Sequence, residues 1–225
     1  MSIEPPVGAV FFDLFGTLLS LRPLDEACDR LAPGQGAQVA ARWRARQLEA
    51  SWLLTAMERW ADFDVVTRDA LAATLDEFSI ARPSDIEDAS AAFLDLPLVD
   101  GAGSAIRTLQ HAGVATGVLT NASQPTLNAV AARLGLGLDP MVSVDGARRF
   151  KPHPAVYQLA VDAMGLEPRR IGFVTANGWD AAGAGAFGFR VAWLRRDPTV
   201  GLPSVGAPEP TIATWADVTG TFLSR

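Results

Sequence analysis

The sequence has very few cysteines and histidines, and it has no long hydrophobic run. Cys28 is the one cysteine among 225 residues, so no disulfide can form within the chain, which is typical of a reducing compartment. The two histidines, His111 and His153, lack the spacing of a metal site, and we expect them in loops or at the surface. No apolar stretch is long enough to span a bilayer, and no signal-peptide pattern is present. We therefore expect a cytoplasmic protein without a membrane partner.

Positive charge is also scarce. The formal net charge is −6 and the isoelectric point is about 4.9, which argues against nucleic acid as a partner. The basic clusters at 42–46 and 148–149 are short, and their default interpretation is a solvated helix or loop face. An anionic substrate would have to be attracted by a few local charges.

Lysine occurs once, at Lys151, against eighteen arginines. A guanidinium is a broad planar fork, whereas an ammonium is compact enough to fit beside one or two carboxylates. Lys151 is followed by Pro152 and Pro154, which predict a rigid loop that opens a helix. The only tyrosine, Tyr157, lies six residues further on. Lys151 is either a leftover surface lysine or a group used in chemistry, and its setting favours chemistry.

Apolar runs alternate with helical patterns along most of the chain, as in a parallel sheet covered on both faces. The predicted strands are Ala9 to Phe12, Val114 to Leu119, Met141 to Val144, Ile171 to Val174 and Arg190 to Trp193. The helices between them are Ala102 to His111, Pro125 to Leu134, Pro154 to Met164 and Asp180 to Phe187. The prediction is an α/β fold with a Rossmann-like, mostly parallel sheet, whose ligands bind at the carboxyl ends of the strands.

One stretch interrupts this alternation. Between residues 20 and 96 only helical patterns occur, which predicts an all-helical cap domain at 20–96 inserted into a core domain formed by 1–19 and 97–225. A Pro- and Gly-rich surface loop at 202–210 precedes a short closing segment and helix. The predicted cap helices are Leu24 to Leu31, Gly36 to Arg59, Val65 to Phe78 and Asp85 to Phe93.

The sharpest motif follows the first strand, where Asp13 is succeeded by a turn with Gly16 and the hydroxyl of Thr17. This arrangement exposes a carboxylate where backbone amides can bind an anion, although a plain strand-to-loop turn would look the same. The motif gains weight from four further elements. These are the helical insertion after the first strand, Leu119-Thr120-Asn121, Lys151 and the segment from Thr175 to Asp180.

With these motifs the chain resembles the haloacid dehalogenase superfamily and, more closely, the L-2-haloacid dehalogenases. The resemblance runs from Val10 to Arg195 and includes the cap segment 43–49 with Trp52, as well as the segments 177–184 and 187–193. It implies hydrolytic dehalogenation of short L-2-haloacids to 2-hydroxy acids through an aspartyl ester on Asp13. It also implies a homodimer, with a small anionic 2-haloacid as substrate and halide as product.

Phe15 separates this reaction from that of the superfamily's phosphatases, which carry a second Asp at this position. Without that carboxylate a phosphoester lacks the acid that protonates its leaving alkoxide, whereas a halide leaves without protonation. We therefore expect no metal and no cofactor. The alternatives are a related hydrolase that uses the same Asp nucleophile on another small carboxylate or phosphorus substrate, or a binding protein on a retired scaffold.

The resemblance implies a role for each catalytic residue. Asp13 would displace the halide, and Lys151 would balance the negative charge of Asp13 and of the oxyanion formed in hydrolysis. Asp180 would anchor Lys151 and help position the water, unless it is only a helix N-cap. The remaining catalytic residues would hold the carboxylates or the water by hydrogen bonds, and they are Thr17, Thr175 and Asn177.

The resemblance also implies a substrate pocket. Thr120 and the backbone amides of Leu14 and Phe15 would bind the substrate carboxylate. The halide would lie among Arg44, Asn121 and Trp179, and the pocket would also be lined by Leu48, Phe63 and Tyr157. Each residue has a plainer alternative as a solvated arginine, a core aromatic or a capping hydroxyl. The chain departs from the family where Phe15 replaces Tyr, where Thr120 and Thr175 replace Ser, and where Ala45 replaces a polar residue.

Overall fold

The computed structural model describes residues 6–81, 86, 91–195 and 210–223. Its centre is a sheet of six parallel strands in the order β3-β2-β1-β4-β5-β6. The strands are β1 Ala9–Phe12, β2 Ala115–Thr120, β3 Met141–Ser143, β4 Ile171–Thr175, β5 Arg190–Leu194 and β6 Thr211–Ile212. The predicted α/β class with a parallel, Rossmann-like sheet is confirmed.

Helices cover the sheet, and they connect β1 to β2, β2 to β3, β3 to β4 and β4 to β5. The α-helices are α1 Arg22–Leu31, α2 Gly36–Ala56, α3 Phe63–Glu77, α4 Ala102–His111, α5 Gln124–Leu134, α6 Pro154–Met164, α7 Gly178–Phe187 and α8 Trp215–Leu223. Every residue of β1 is buried, because β1 has a neighbouring strand on each side and helices on both faces. This explains why its sequence is a continuous apolar run.

Helices α1, α2 and α3 lie between β1 and α4, in the stretch where the sequence pattern contains no strand. The described residues of 20–96 likewise contain no regular strand. Helix α2 ends at Ala56, earlier than predicted, because Glu58 adopts a left-handed φ of 57°. The predicted helix from Asp85 to Phe93 lies largely outside the described residues, and Ala91–Leu94 is a 3-10 turn. Most of the predicted loop at 202–210 also lies outside them.

The basic cluster at 42–46 is only partly a solvated face. Arg42 and Arg46 form ion pairs with Glu77 on the neighbouring helix α3, and both remain partly exposed. Trp43, between them, is 2% exposed and donates from Nε1 to the backbone oxygen of Thr67 at 2.8 Å. Helices α2 and α3 are therefore locked in register by buried as well as surface contacts.

Ring contacts and hydrogen bonds join α2, α3 and the loop between them to the elements at the carboxyl edge of the sheet. The rings of Trp52 and Trp179 meet edge to face at 5.6 Å between their centroids. The backbone N–H of Phe150 donates to Thr55 Oγ1 at 3.0 Å, and its ring stacks on Trp60 at 4.8 Å. In addition, the Asp64 carboxylate accepts from Ser123 Oγ at 2.6 Å and from Thr126 Oγ1 at 3.0 Å.

None of the described helices is both long enough and apolar enough to cross a bilayer.

Candidate active site

The site lies at the carboxyl edge of the sheet, where β1 runs between β2 and β4. Phe12, the last residue of β1, pairs with Val118 and Val174, so Asp13 follows directly beside the ends of both neighbours. Gly16 then turns the chain with a φ of +80°, a conformation that other residues rarely adopt. The turn returns Thr17 to Asp13, and the predicted clustering of strand-end residues is observed.

Asp13 is 5% exposed, and its two carboxylate oxygens have different partners. Oδ2 accepts from Asn177 Nδ2 at 2.7 Å, from Thr17 Oγ1 at 2.8 Å and from Thr175 Oγ1 at 3.4 Å. Oδ1 accepts from Lys151 Nζ at 3.1 Å. Three donors thus fix the orientation of the carboxylate, while Oδ1 keeps a lone pair for a bound molecule.

Lys151 is completely buried between two carboxylates. Its Nζ lies 3.1 Å from Asp13 Oδ1 and 2.9 Å from Asp180 Oδ2, and it lies 4.8 Å from the ring centroid of Phe173. One ammonium between two buried carboxylates leaves a net negative charge, and each ion depends on the others for stability. The structure therefore excludes the alternative of a leftover surface lysine.

Asp180 is a fully buried carboxyl with a perturbed pKa. Burial raises its pKa to about 6, against the opposing effect of the Lys151 ammonium, while the Asp13 charge adds to the rise. Its Oδ1 accepts from Tyr157 Oη at 2.8 Å. Asp180 is the third residue of α7, which begins after Asn177, so the N-cap interpretation of Asp180 is wrong.

Tyr157 was expected to line the substrate pocket, and the structure corrects this. The side chain is fully buried behind Asp180, and burial together with the Asp180 charge raises the pKa of its hydroxyl far above the ordinary range. Gly183 makes this contact possible, because a Cβ there would lie 2.6 Å from Tyr157 Oη. Tyr157 is therefore a support for Asp180.

The residues at the end of β2, Thr120 and Asn121, are also buried and hydrogen-bonded. Thr120 Oγ1 accepts from the backbone N–H of Ala122 at 3.1 Å, and Asn121 Oδ1 accepts from the backbone N–H of Lys151 at 3.0 Å. The Asn121 side chain accepts this second bond through its amide oxygen. It therefore holds the Lys151 loop beside the end of β2. Both residues lie at the predicted edge of the sheet.

The ring of Phe15 packs edge to face on Phe93 at 5.1 Å, and Leu14 is fully buried. The backbone oxygen of Phe15 accepts from Asn177 Nδ2 at 3.2 Å. Phe15 and Phe63 line a cavity of about 180 Å³. The backbone carbonyl of Phe15, two residues after Asp13, thus already accepts a hydrogen bond from the Asn177 amide. The side chain at this position is an aromatic ring and not a second carboxylate.

Arg44 is half-buried on α2, where its Nη1 donates to Gln47 Oε1. Burial lowers its pKa to about 10, and the negative charge of Asp13 opposes this shift. Leu48, one turn further along α2, is also half-buried, as is Trp179. Phe63 is 2% exposed and packs on Phe150 at 5.6 Å. That Arg44 approaches Asp13, as the resemblance implied, stays a prediction.

Two supporting residues were missed by the sequence. Gln47 is fully buried and accepts a hydrogen bond from Arg44 Nη1, although nothing in its spacing distinguishes it from a surface glutamine. His153 lies in the loop before α6, as expected, and its capping role was missed: it accepts from the backbone N–H of Ala155 at 3.2 Å. The Pro152–Pro154 pattern was the available signal for that cap.

The described residues contain no cluster of three or more His, Cys, Asp or Glu side chains that could hold a metal ion. Cys28 lies in α1, where burial and then the Asp25 charge raise the pKa of its thiol to about 11. Such a thiol is not a ready nucleophile. Asp13, Lys151 and Asp180 are the charged side chains that the structure brings into contact at this edge of the sheet.

Comparison with known proteins identifies the family that the sequence motifs resemble. A model of the haloacid dehalogenase-like hydrolases matches residues 7–188. An (S)-2-haloacid dehalogenase from Xanthobacter autotrophicus is 38% identical over 84% of this chain and 76% of its own length. Haloacetate dehalogenase H-2 from Moraxella sp. (strain B) is 34% identical over 84% and 86%, respectively.

Solved structures extend the match to nearly the whole chain. The structure of L-2-haloacid dehalogenase from Xanthobacter autotrophicus with chloropropionic acid covalently bound is 32% identical, with a TM-score of 0.86. The match covers 97% of this chain and 99% of the Xanthobacter chain. The resemblance stated from the motifs is thereby confirmed, and the chain belongs to the haloacid dehalogenase-like hydrolase family.

Proposed function

We propose that this protein hydrolyses short L-2-haloacids to 2-hydroxy acids through an ester on Asp13. The observation that carries the proposal is the environment of Asp13, with a buried ammonium 3.1 Å from Oδ1 and the apolar Phe15 two residues further on. Relatives named as (S)-2-haloacid and haloacetate dehalogenases support it, as does the relative with covalently bound chloropropionic acid.

In the first step Asp13 Oδ1 attacks the carbon that bears the halogen. A carbon–oxygen bond forms as the carbon–halogen bond breaks, so halide leaves with the bonding electrons and the carbon is inverted. The three donors on Oδ2 hold the carboxylate in line for this attack. No proton is transferred in this step.

In the second step water attacks the carbonyl carbon of the Asp13 ester. One water proton passes to Asp180, whose pKa of about 6 leaves it ionised and weakly basic at neutral pH. The oxyanion forms on Oδ2, where the donors Asn177, Thr17 and Thr175 stabilise it, and the nearby Lys151 ammonium balances its negative charge. When the ester bond breaks, the proton held by Asp180 passes to the departing alkoxide, which gives the 2-hydroxy acid. The second water proton leaves the Asp13 carboxyl for solvent, and both carboxylates return.

The substrate carboxylate binds at the edge formed by Thr120 and the backbone N–H groups of Leu14 and Phe15. The halogen faces Arg44, Asn121 and Trp179, where a cation stabilises the departing halide. The alkyl group lies against the apolar side chains of Leu48 and Phe63. We also propose that residues 20–96 form a cap domain that brings Arg44 and Leu48 to a core formed by 1–19 and 97–225.

The reaction needs no metal in this scheme. The Lys151 ammonium supplies the positive charge beside Asp13, and Asn177 Nδ2 occupies both Asp13 Oδ2 and the Phe15 carbonyl. A magnesium ion that needed those two oxygens as ligands would have to compete with the Asn177 N–H groups that already bind them. A Mg²⁺-dependent phosphoester hydrolase on the same nucleophile is the competing possibility.

Halide release from chloroacetate and from the two enantiomers of 2-chloropropionate tests the proposal, with 4-nitrophenyl phosphate as the competing substrate. We expect halide from chloroacetate and the L enantiomer, none from the D enantiomer, and an unchanged rate in chelator. Asp13→Asn should release no halide. Phosphatase activity that chelator abolishes and Mg²⁺ restores would contradict the proposal.

We also propose that the protein is a homodimer formed through α2 and α3. An apolar groove of about 420 Å³ between these helices is lined by residues that include Leu53 and Met57, which are 53% and 56% exposed. Arg46, Glu49 and Asp69 lie at the same groove and offer charges of both signs to a second copy. Burying this face would remove large apolar side chains from water.

A cytoplasmic location is likewise our proposal. It is supported by the single cysteine, which is buried in α1 and keeps its thiol form because burial raises its pKa.

A further inference from the structure

A buried hydrogen-bond chain continues from Arg44 into the interior of the helical region. Arg44 Nη1 donates to Gln47 Oε1, and Gln47 Nε2 donates to Thr67 Oγ1 at 2.5 Å. Thr67 Oγ1 donates in turn to the backbone oxygen of Phe63 at 2.7 Å. We call these three bonds the Arg44 relay. Its middle members are 0% and 6% exposed, so no bulk water competes for them.

The direction of every bond in the relay is fixed. A guanidinium only donates, so Gln47 must turn its carbonyl oxygen to Arg44 and its NH₂ group to Thr67. The Thr67 hydroxyl accepts that NH₂ and uses its one proton on Phe63. Trp43 Nε1 holds the backbone oxygen of the same threonine at 2.8 Å. The Gln47 amide therefore cannot flip without leaving buried groups unpaired.

The hydrogen-bond acceptor for Arg44 is the uncharged side-chain amide of Gln47. Arg42 and Arg46, on the same helix, both bind the carboxylate of Glu77, which offsets one of their two positive charges. Arg44 instead donates to a neutral amide. Burial lowers its pKa to about 10. Because this value is still above neutral pH, the guanidinium stays protonated there. The relay thus fixes the arginine while leaving its positive charge available to an anion.

We propose that Gln47, held by Thr67, is a positioning residue that aims Arg44 at the halogen and keeps its charge available for the departing halide. The inference rests on the proposed function, in which Arg44 faces the halogen. Negative charge grows on the halogen as the bond breaks, so an uncancelled and fixed cation stabilises the transition state more than the substrate. Loss of the relay should therefore lower kcat and weaken halide binding together.

Three substitutions separate these contributions. Gln47→Glu keeps an acceptor for Arg44 but adds a negative charge, Gln47→Met removes the acceptor, and Thr67→Val removes the hydroxyl that holds the glutamine. Thr74→Val is the matched control, because Thr74 is fully buried in the same helix and also donates to a backbone oxygen, that of Ala70, at 2.7 Å. It differs in having no place in the relay.

The measurements are kcat and KM for halide release from L-2-chloropropionate, product inhibition by bromide, and circular dichroism for folding. A hydrogen bond to a charged group contributes about ten- to a hundredfold in binding. We expect both Gln47 variants to lose at least about tenfold in kcat and in bromide affinity, and Thr67→Val about fivefold. Thr74→Val should stay within about twofold of the unmodified protein.

The possible failures are distinguishable. If the unmodified protein releases no halide, the proposed function fails. If it is active and the folded Gln47 variants retain its kcat and bromide inhibition, the positioning role is wrong. The role is also wrong if activity falls only with the folded fraction, or if Thr74→Val matches Thr67→Val. Should Gln47→Met fail to fold, Gln47→Glu and Thr67→Val decide the question by the same two constants.

Discussion

Replacing Lys151 by arginine preserves the charge and changes only the shape of the cation. The Lys151 ammonium fits between Asp13 Oδ1 at 3.1 Å and Asp180 Oδ2 at 2.9 Å, in a position with no solvent exposure. A planar guanidinium is wider than an ammonium, so it must push one carboxylate aside or occupy the space of the attacking water. A displacement of about 1 Å at a reacting group costs on the order of a hundredfold in rate.

We therefore expect Lys151→Arg to fold and to lose at least about a hundredfold in halide release. Lys151→Ala should be no more active, and it should also be less stable by about 3–5 kcal/mol, since two buried carboxylates lose their shared partner. Steady-state halide release from L-2-chloropropionate and chemical unfolding followed by circular dichroism measure both effects. Near-normal turnover of Lys151→Arg would refute the role of the ammonium.

Two further predictions follow from the described contacts. Tyr157→Phe removes a hydrogen bond that stabilises the Asp180 carboxylate, so the pKa of Asp180 should rise further above about 6. The acidic limb of the pH–rate profile should then move to higher pH, and an unmoved limb would separate Asp180 from the rate. Replacing both Leu53 and Met57 by Glu should convert the proposed dimer to monomers in size-exclusion chromatography, and a monomeric parent protein would contradict the proposed interface.

The strand-end residues could be predicted from the sequence because parallel strands share one carboxyl edge. Asp13, Thr120 and Thr175 each end an apolar run or follow it directly, so their proximity required only the strand order. Lys151 was singled out by composition and by its proline-bounded loop, but its second carboxylate partner came from the family resemblance alone.

Residues that depend on packing between helices could not be placed in the same way. Gln47 looks like any helical glutamine until α3 brings Thr67 against it, and only then does it become the partner of Arg44. The orientation of Tyr157 depends on the close approach that Gly183 allows. Helix α2 was predicted too long because a left-handed turn at Glu58 has no sequence signal there.

The most direct test of the Asp13 ester is a single turnover in water enriched in heavy oxygen. With enzyme in excess over L-2-chloropropionate, the second step delivers the oxygen of water to the carbonyl carbon of Asp13 and not to the carbon that carried the halogen. Mass spectrometry of the peptide that contains Asp13 should then show heavy oxygen in its carboxylate, and the 2-hydroxy acid should carry ordinary oxygen. Heavy oxygen in the product and none in Asp13 would mean that water displaces the halide directly, which would contradict the covalent mechanism.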